Sequence, residues 1–534
     1  MSDDRREPPA QIGAADAMAL VERYICAGEH ANARTVLDKF LAAAGGEALG
    51  DPARISLHGA IAYVYAKLNR PELSADYAQF ALLSDPADAL AQSLLTDAQK
   101  IHIARSLMHH RRAADAAVIF QSMAQAEGSH EAAYYVSLLA YFDALRAEIG
   151  DLPEGDGGTA PPLVMNFVLW GASYVESLLT YSFPSLMAAG NIPQLARGRR
   201  VIIDIFTTPA DRDAICASPA GKAVMECATL RFTIIPDNLL SGAAQKAVFN
   251  YDRWLIAGAQ RCSALHARQI GADVTFISCL AVYSMDSFLV AYGFIDDGYQ
   301  AVLTCPPRTR EPEMLSHLKH YAEISGGAIT IDAPSLTRFT IDNLHSHSRA
   351  CFIAAQPILA YQSAVALFFR TLSGFAIRSF QMSPILISHR LLGNGFCFDY
   401  LTVDARFIAE LVSGNSPEAL LKVVSDPAGE LVVAEIDTKS GPDMKTYDGV
   451  AVTIDASATF ALATVLRETD LAFYEWAQRQ RVEYKTSGHS SNLSDHGLDE
   501  DETIESLIGL IRAQSESVRK MLRVYQSAPR SHSA

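Results

Sequence analysis

The sequence predicts an α/β protein in which an all-α domain precedes a larger domain with a mostly parallel sheet. First, apolar residues recur every three or four positions through an alanine-rich region that ends near residue 148. Second, a break at residues 150–162 is rich in glycine, proline and acidic residues. Third, short apolar runs of strand length then alternate with amphipathic helical segments. Such alternation is typical of a parallel sheet covered by helices on both faces.

Composition narrows the class of protein. The 534 residues exceed what one hydrophobic core organises, so two or three domains are expected. A net charge of −16, from 44 basic and 60 acidic residues, argues against general affinity for nucleic acid or an anionic membrane. None of the eight cysteines forms a C-x-x-C pair, which favours free thiols in a reducing compartment. With no apolar signal core at its start and no apolar run of membrane-spanning length, the chain is expected to be cytoplasmic.

Changes in pattern divide the chain into six predicted segments. They are a disordered start (1–14), a helical domain (15–149), a linker (150–162), an α/β domain (163–483), a flexible linker (484–502) and an amphipathic C-terminal helix (503–526). We expect the last helix either to dock on the body or to pair with a second copy of the chain, which makes a homodimer a candidate assembly. Acidic residues at its start and basic residues near its end suit the helix dipole.

One unit of the helical domain stands out, Ile55–Pro86. Ala62 offers a small side chain where two helices would cross, Tyr65 follows on the same face, and Ala81 lies in the second helix. This unit resembles a tetratricopeptide repeat. The resemblance implies stacked helix pairs whose concave face recruits a protein partner. A purely structural role, as a cap or in dimerisation, is the open alternative. Weaker units are predicted at 17–49, 97–126 and 130–148.

Five buried strands are predicted in the α/β domain. The first lies in the run VMNFVLW, and the others are Val201–Thr208, Leu230–Asp237, Ala272–Ser278 and Tyr299–Cys305. Long helices are expected at 243–269 and 311–324. Ligands of parallel sheets bind beyond the carboxyl ends of the strands, so the residues that follow these strands are the candidates for a site.

Motifs of several α/β enzyme classes are missing. No G-x-G-x-x-G follows a strand and no G-x-x-x-x-G-K-[ST] occurs, which argues against a dinucleotide-binding domain and a P-loop ATPase. No G-x-S-x-G elbow points to an α/β-hydrolase. The histidine pairs His345/His347 and His317/His320 lack the glutamate of a zinc site, so zinc is not expected.

Several stretches between about residues 163 and 440 together resemble bacterial glycosyltransferase-like domains with a Rossmann-like, GT-A-type fold, often carried beside tetratricopeptide repeats. These stretches are 168–195, 271–288, 343–352, 377–388, 398–401 and 423–436. The resemblance implies a nucleotide-sugar donor at the carboxyl end of the first strand and transfer of its sugar to an acceptor. It also implies that a divalent metal, Mg²⁺ or Mn²⁺, or basic side chains stabilise the leaving diphosphate.

The chain departs from that pattern at two places. The fourth strand runs into Ser278, Cys279 and Leu280, where such domains usually place an aspartate. Gln381 and Ser383 stand where the related domains carry histidines. Both changes remove metal-ligating or proton-transferring groups. The chain is therefore expected either to use other groups or to retain binding alone.

Donor-binding residues are expected where the first strand ends. Trp170 and Tyr174 flank a Gly171 turn and would form a stacking platform for a base or sugar. Ser173 and Glu176 would bond a ribose. Core packing of the two aromatic rings, and helix capping by Ser173, are the alternatives.

Other donor-binding candidates lie farther along the chain. Thr207 ends the second strand, and Arg308 follows the fifth. Lys246 and Arg253 lie in the first turns of the long helix. Each of the three cations would suit a diphosphate. Their alternative is an ordinary solvated position.

Two acids are the predicted catalytic residues. Asp286, the next acid after the fourth strand, is also the predicted metal ligand. Asp399 would accept the proton of the acceptor. A capping role for Asp286 and a solvated strand edge for Asp399 are the alternatives. Asp296 and Asp297 precede a glycine, which predicts a turn.

The sequence therefore predicts a nucleotide-sugar-dependent glycosyltransferase whose helical repeats recruit a protein or glycan-assembly partner. The alternative is a catalytically inactive glycosyltransferase-like scaffold. The two differ in whether Asp286, Asp297 or Asp399 meets Trp170 and Tyr174 around one open cleft.

Overall fold

The computed structural model describes part of the chain. The chain divides into two compact units. The described residues are 17, 19–21, 23–24, 29–43, 57–67, 71–109, 111–127, 129–152, 160–242, 251–310, 312–313, 316, 318, 323–325, 328–353, 359–360, 366–393, 396–403, 405–437, 450–451, 468–486 and 499–526. Of these, the first unit holds the residues up to Tyr141 with 241–242 and 520–526, and the second holds 142–240 and 251–519. The predicted disordered start, 1–14, and Lys246 lie outside the described residues.

The first unit is built from helices. They are α1 (His30–Ala43), α2 (Leu57–Lys67), α3 (Pro71–Ser84), α4 (Ala89–Ser93), α5 (Asp97–His109), α6 (Ala113–Glu127) and the part of α7 (His130–Gly150) up to Tyr141. Helix α2 packs on α3, and α5 packs on α6. The predicted helical character of this region is confirmed, and its assignment to tetratricopeptide repeats stays a prediction.

Small and aromatic side chains join α2 to α3. Ala62 and Ala81 are fully buried. Tyr65 stacks on Tyr77 with ring centroids 5.5 Å apart. Small residues let two helices approach closely, while stacked rings fill the remaining volume. The burial predicted for these positions is therefore confirmed.

The second unit holds every described strand, the end of α7 and the remaining described helices, the last of them up to residue 519. Its helices are α8 (Ala172–Ser177), α9 (Phe183–Leu186), α10 (Ile192–Leu195), α11 (Pro209–Ala217), α12 (Pro219–Cys227), α13 (Asp237–Leu240), α14 (Tyr251–Gln269), α15 (Ser287–Asp296), α16 (Ala333–Asp342), α17 (Ser346–Ala350), α18 (His389–Gly393), α19 (Ala405–Leu411), α20 (Pro417–Leu420), α21 (Glu468–Arg479) and α22 (Glu500–Gln526). Its strands are β1 (Leu163–Val168), β2 (Val201–Thr207), β3 (Thr229–Ile234), β4 (Asp273–Phe276), β5 (Ala281–Tyr283), β6 (Ala301–Thr304), β7 (Arg308–Arg310), β8 (Glu323–Ser325), β9 (Ala328–Thr330), β10 (Leu359–Ala360), β11 (Ala366–Thr371), β12 (Gly374–Ser379), β13 (Ser383–Ile387), β14 (Leu421–Val423), β15 (Val433–Asp437), β16 (Val450–Ala451) and β17 (Val482–Lys485).

A seven-stranded sheet forms the centre of the second unit, in the order β14–β6–β13–β4–β1–β2–β3. Strands β4, β1, β2 and β3 are mutually parallel, and β14 is parallel to β6. Strand β13 is antiparallel to both of its neighbours, β4 and β6. The predicted α/β class with a mostly parallel sheet is confirmed, and the five predicted strands correspond to β1, β2, β3, β4 and β6.

Apolar cores cover both faces of this sheet. In β1, Val164 belongs to one core cluster, while Met165 and Phe167 belong to another. Adjacent strand residues point to opposite faces, which explains why the strand is apolar at successive positions. A short apolar run bounded by turn residues is therefore the sequence signal of each central strand.

Two predicted boundaries are wrong. Ile324 lies in β8, which pairs with β9, so the helix predicted at 311–324 does not extend that far. The flexible linker predicted from residue 484 begins inside β17, where Tyr484 is fully buried and stacks on Phe375 with ring centroids 5.2 Å apart. The alternating polar and apolar residues of β17 are a strand pattern that the polar residues after it obscured.

The first turns of α22 dock within the second unit. Ile504, Leu507 and Ile508 are buried in its core. The Arg378 side chain, 7% exposed, pairs with Glu500 at 2.6 Å and with Asp501 at 2.7 Å. Docking on the body is thus the alternative that holds for the start of this helix.

Among the described helices, none combines the length and the apolar character needed to cross a bilayer.

Candidate functional site

The order of strands places a crevice between β1 and β4. From β1 the sheet continues to β2 and β3 on one side, whereas the later strands lie on the other side. Such a reversal in an open α/β sheet leaves room for a ligand at the carboxyl ends of the two strands. Trp170, after β1, and Ser278, after β4, both line a cleft at this point.

The cleft has a volume of about 440 Å³, within the size range of small-molecule sites. Its lining includes polar side chains from seven segments: Asn166, Asp252, Gln260, Ser278, Thr304, Ser383, Thr402 and Glu435. Lys, Arg and His are absent from its described lining. The site therefore offers aromatic, hydroxyl, amide and carboxylate groups.

A glycine turn presents Trp170 to the cleft. Gly171 has a φ of +93°, which a residue with a side chain adopts only with strain. Its N–H donates to Asp211 Oδ2 at 2.8 Å, and the Thr208 hydroxyl donates to the same oxygen at 2.8 Å. The Thr208 hydroxyl also accepts the Asp211 N–H at the start of α11. The turn is thus fixed to α11, and Trp170 and Tyr174, the latter 36% exposed, both face the cleft.

A π-helical turn, Leu178–Ser182, supports the opposite wall. The Ser182 hydroxyl lies 3.0 Å from the Ser278 carbonyl and 2.8 Å from the Ala281 carbonyl. It therefore ties the loop between β4 and β5 to the helical segment that follows the Gly171 turn. Residues of that loop line the cleft, and π-helical turns frequently occur at functional sites.

Two carboxylates face the cleft. Asp252 shares one stripe of α14 with Ile256 and Gln260, because residues four apart lie on the same helix face. Glu435 lies on β15, and its Oε2 is 3.8 Å from Nε of Arg308 on the adjacent strand β7. Arg308, a predicted donor-binding residue, thus lies beside a cleft residue without belonging to the lining itself.

A buried polar network stiffens the base of the cleft. The Asn166 amide donates to Ser263 Oγ at 2.8 Å, and Ser263 Oγ donates to Asp204 Oδ2 at 2.7 Å. Arg231 lies 2.9 Å from both carboxylate oxygens of Asp204. A network whose members are satisfied holds its side chains in one arrangement. Asn166 is therefore a fixed polar group in the cleft.

Burial suppresses the acidity of two further cleft groups. Burial raises the pKa of the Cys279 thiol to about 12, so this thiol stays protonated near neutral pH and is a poor nucleophile. Burial, and secondarily the charge of Glu435, raises the pKa of the Tyr283 hydroxyl. Neither group suits proton abstraction near neutral pH.

Asp286 does not join Trp170 and Tyr174 in the described cleft lining. It precedes α15 with a φ of +63°, and its N–H donates to the Ala189 carbonyl at 3.0 Å. Its side chain packs against Gly190 so closely that a Cβ built there would lie 1.8 Å from Oδ1. The predicted metal ligand therefore has a structural position in the loop before the helix.

Asp399 is also outside the described lining. Its carboxylate is buried 2.8 Å from Nη2 of Arg261, whose side chain is also buried. Arg261 Nε donates to the Leu401 carbonyl at 3.0 Å. Such a buried pair holds the segment in place, because separating the charges would leave one of them uncompensated. Thr402 and Val403, from the same segment, do reach the cleft.

The remaining predicted donor-binding residues lie elsewhere. Ser173 is exposed in the first turn of α8, whose N-cap residue is Gly171, so the capping alternative is wrong. Thr207 is fully buried within β2. Arg253 is exposed on α14 and lies outside the described lining, although its neighbour Asp252 belongs to it.

The acidic turn and the histidine pairs are placed away from the cleft lining. Asp296 and Asp297 are exposed at the end of α15, in agreement with a turn. His345 caps α17 by accepting the His347 N–H at 3.2 Å. His317 and His320 lie outside the described residues. In the part that the structure describes, no cluster of three or more His, Cys, Asp and Glu side chains could hold a metal ion.

Sequence reasoning missed the two carboxylates of the cleft. Glu435 is a charged residue inside the apolar run LVVAEI, which was an available signal. The sequence signal for Asp252 was weaker, because Asp252 is one of several charged residues in the long helix. Only the fold shows which side of that helix meets the ends of β1 and β4.

No protein-family model matches the sequence, and a search of curated proteins finds no significant match.

Proposed function

We propose that the second unit is a glycosyltransferase domain that binds a nucleotide sugar in the cleft at the ends of β1 and β4. The observation that carries this proposal is the position of Trp170 and Tyr174 on an open cleft where the strand order reverses. Aromatic faces stack on nucleobases and on the apolar faces of sugars. The bacterial glycosyltransferase resemblance supports the same class of ligand.

Oxygen donors of the cleft suit a divalent cation. Asp252 lines the cleft together with Asn166 and Ser278, whose amide and hydroxyl oxygens are, like its carboxylate, hard oxygen donors. Mg²⁺ is commonly held by one or two carboxylates together with phosphate oxygens of a substrate. When bound, Mg²⁺ or Mn²⁺ would neutralise charge that develops on the leaving diphosphate. In this proposal, Asp252 replaces Asp286 as the metal-ligating carboxylate.

The second carboxylate of the cleft supplies a base. Transfer of a sugar requires that a proton leave the acceptor hydroxyl as the new glycosidic bond forms. Asp252 lies on a helix and Glu435 on a strand of the cleft wall, so each is held by rigid secondary structure. We assign the base role to Glu435, because β15 holds it on the cleft wall beside Arg308 of the paired strand β7.

A binding scaffold without transfer is the second candidate. It is favoured by the positions of Asp286 and Asp399, neither of which belongs to the described lining. In either case, the proposed role of the helical unit is to recruit a protein or glycan-assembly partner.

A ligand screen tests the proposal. The full chain would be heated with single nucleotide sugars, with and without Mn²⁺, and the melting temperature would be measured. A ligand that binds only the folded state stabilises it, by about 2.7 kcal/mol at a concentration one hundred times its Kd. We expect one donor to raise the melting temperature, with a larger rise when Mn²⁺ is present.

Three variants locate the binding site. Trp170→Ala and Asp252→Asn should abolish the rise, while Asp342→Asn, an exposed control outside the described lining, should retain it. Glu435→Gln should retain donor binding but stop formation of product, which chromatography of the acceptor reaction measures. Full ligand stabilisation of Trp170→Ala would exclude this cleft. Donor binding by the unmodified chain, with no product from any acceptor, would favour the scaffold.

A further inference from the structure

A group of arginines lies beside the cleft. Arg308 begins β7, and its guanidinium approaches Glu435 of the cleft wall at 3.8 Å. The Arg308 N–H donates to Ser348 Oγ at 2.9 Å, which places α17, the helix that contains Arg349, against this strand. We call Arg308, Arg349 and Arg370 the arginine surface.

An aromatic ring holds Arg370 in place. Its guanidinium carbon lies 4.3 Å from the centroid of the Phe352 ring. Phe352 follows α17 closely, and the Ile353 N–H donates to the Phe368 carbonyl at 3.0 Å, which joins this segment to β11. The backbone thus brings Arg349 and Arg370 to one region from two different elements.

The charges in this region are unusual for so acidic a chain. Both Arg349 and Arg370 are exposed, and within the described residues neither has a carboxylate partner at ion-pair distance. Burial of part of the side chain, and then the positive charge of Arg349, lowers the pKa of Arg370. Two guanidinium groups that repel each other in a protein of net charge −16 favour the binding of an anion between them.

We propose that the arginine surface binds an anionic group, a phosphate or a carboxylate, of the acceptor. This inference rests on the proposed function, because it assigns the second substrate of the same site. Arginine presents paired donors that match phosphate and carboxylate oxygens. Through Arg308 and Glu435 the surface borders the cleft, so an acceptor held there would present its hydroxyl to the cleft wall.

The described cleft lining has no basic side chain, so the anionic groups of the two substrates would be neutralised at different places. The donor diphosphate would be neutralised inside the cleft by a cation on Asp252. The acceptor anion would be neutralised outside it by Arg349 and Arg370. The two ligands should therefore bind at the same time.

Calorimetric titration of the full chain with inorganic tripolyphosphate tests this inference. We expect saturable binding that weakens as salt is raised. Arg349→Gln/Arg370→Gln should lower the affinity at least tenfold. The control Lys222→Gln/Arg268→Gln removes the same charge from exposed positions on α12 and α14 and should change it less than twofold. Arg349→Lys/Arg370→Lys keeps the charge and should bind with intermediate affinity.

The nucleotide sugar found in the donor screen provides the second arm. The Arg349→Gln/Arg370→Gln variant should bind it with unchanged affinity, which also shows that the variant is folded. If the control variant loses tripolyphosphate binding to the same extent, the loss reflects the change in net charge alone, and the proposal is overturned. Competition between tripolyphosphate and the nucleotide sugar would assign the arginines to the donor and overturn it as well. If no nucleotide sugar binds, the proposed function and the acceptor assignment both fail, whereas arginine-dependent tripolyphosphate binding would still identify an anion site.

Discussion

Gly190 and Asp286 constrain one another in the loop before α15. Gly190 has a φ of +76° and Asp286 a φ of +63°, both in the left-handed region. A Cβ on residue 190 would lie 1.8 Å from Oδ1 and 2.6 Å from Cα of Asp286. Gly171 also has a positive φ, +93°, but its added Cβ would meet nothing within 4 Å. Gly171 therefore serves as the comparison, a glycine of positive φ without close packing at its Cβ position.

Gly190→Ala should destabilise the protein more than Gly171→Ala. At either position, a positive φ costs a residue with a side chain about 1–3 kcal/mol. At residue 190, displacement of the Asp286 backbone adds about 1–3 kcal/mol for overpacking. Urea unfolding of the two variants measures the difference in the free energy of unfolding. Equal destabilisation would mean that Asp286 moves away from residue 190 without cost.

The role of a single carboxylate was hard to predict from the sequence, as Asp286, Asp399 and Glu435 show. Asp286 and Asp399 were predicted to be functional because each follows or begins a strand-like segment. One instead packs on Gly190, and the other pairs with Arg261, contacts between residues far apart in the chain. Glu435 was detectable as a charge in an apolar run, but only the pairing of β15 with β5 and β7 brings it beside the cleft.

Among the elements, the π-helical turn has the most direct connection to the cleft. Ser182 Oγ bonds the carbonyls of Ser278 and Ala281, whereas Ser177 Oγ, one turn earlier, bonds only the Ser173 carbonyl of its own helix. Both serines have little exposure to solvent. They form a matched pair for asking whether the turn orders the loop between β4 and β5.

Ser182→Ala should weaken binding of the donor, and Ser177→Ala should not. Loss of the Ser182 hydroxyl leaves two buried carbonyls without this donor, at about 1–3 kcal/mol of stability. The loop that forms one cleft wall should then lose order, which we expect to lower donor affinity several-fold. Calorimetry with the nucleotide sugar measures the affinity, and proteolysis measures loop order. Unchanged affinity in Ser182→Ala would show that other contacts position the wall.

Local pattern predicted the central strands well and their neighbours poorly. Strands β1 to β4 and β6 are short apolar runs bounded by turn residues, so each was found from the sequence. Strand β13 was seen only as part of a family-like stretch, because its place between β4 and β6 depends on pairing across about a hundred residues. The second half of strand β17 falls in the predicted linker for a different reason, because the polar residues after it obscure its alternation. Cross-strand register is not written in local periodicity.

At the scale of the whole molecule, buried thiols shape the response to alkali. Burial raises the pKa values of Cys279, Cys305 and Cys351 to about 12 each. In the unfolded chain, thiols titrate near pH 8.5. Above that pH the unfolded state binds fewer protons than the folded state, so stability falls as pH rises. Below it, all three thiols are protonated in both states and contribute no pH dependence.

The free energy of unfolding should therefore decline between about pH 9 and pH 11. Each of the three thiols contributes about 1.4 kcal/mol per pH unit in this range. Urea unfolding at several pH values measures the slope. The Cys305→Ala/Cys351→Ala variant should lose the contribution of two thiols to this slope, even though the variant is less stable at every pH. A slope that does not change in this variant would assign the alkaline sensitivity to other groups, such as the buried tyrosines.

Strand β13 runs against its neighbours, so its beginning, at Ser383, reaches the same edge as the ends of β4 and β6. The walls of the cleft consequently come from segments between Asn166 and Glu435. During translation, the ribosome must extrude the greater part of the second unit before a pocket exists for any ligand to occupy. Nascent chains that stop short of Glu435 should be unable to gain protection from the ligand, however much of the central sheet they have already folded.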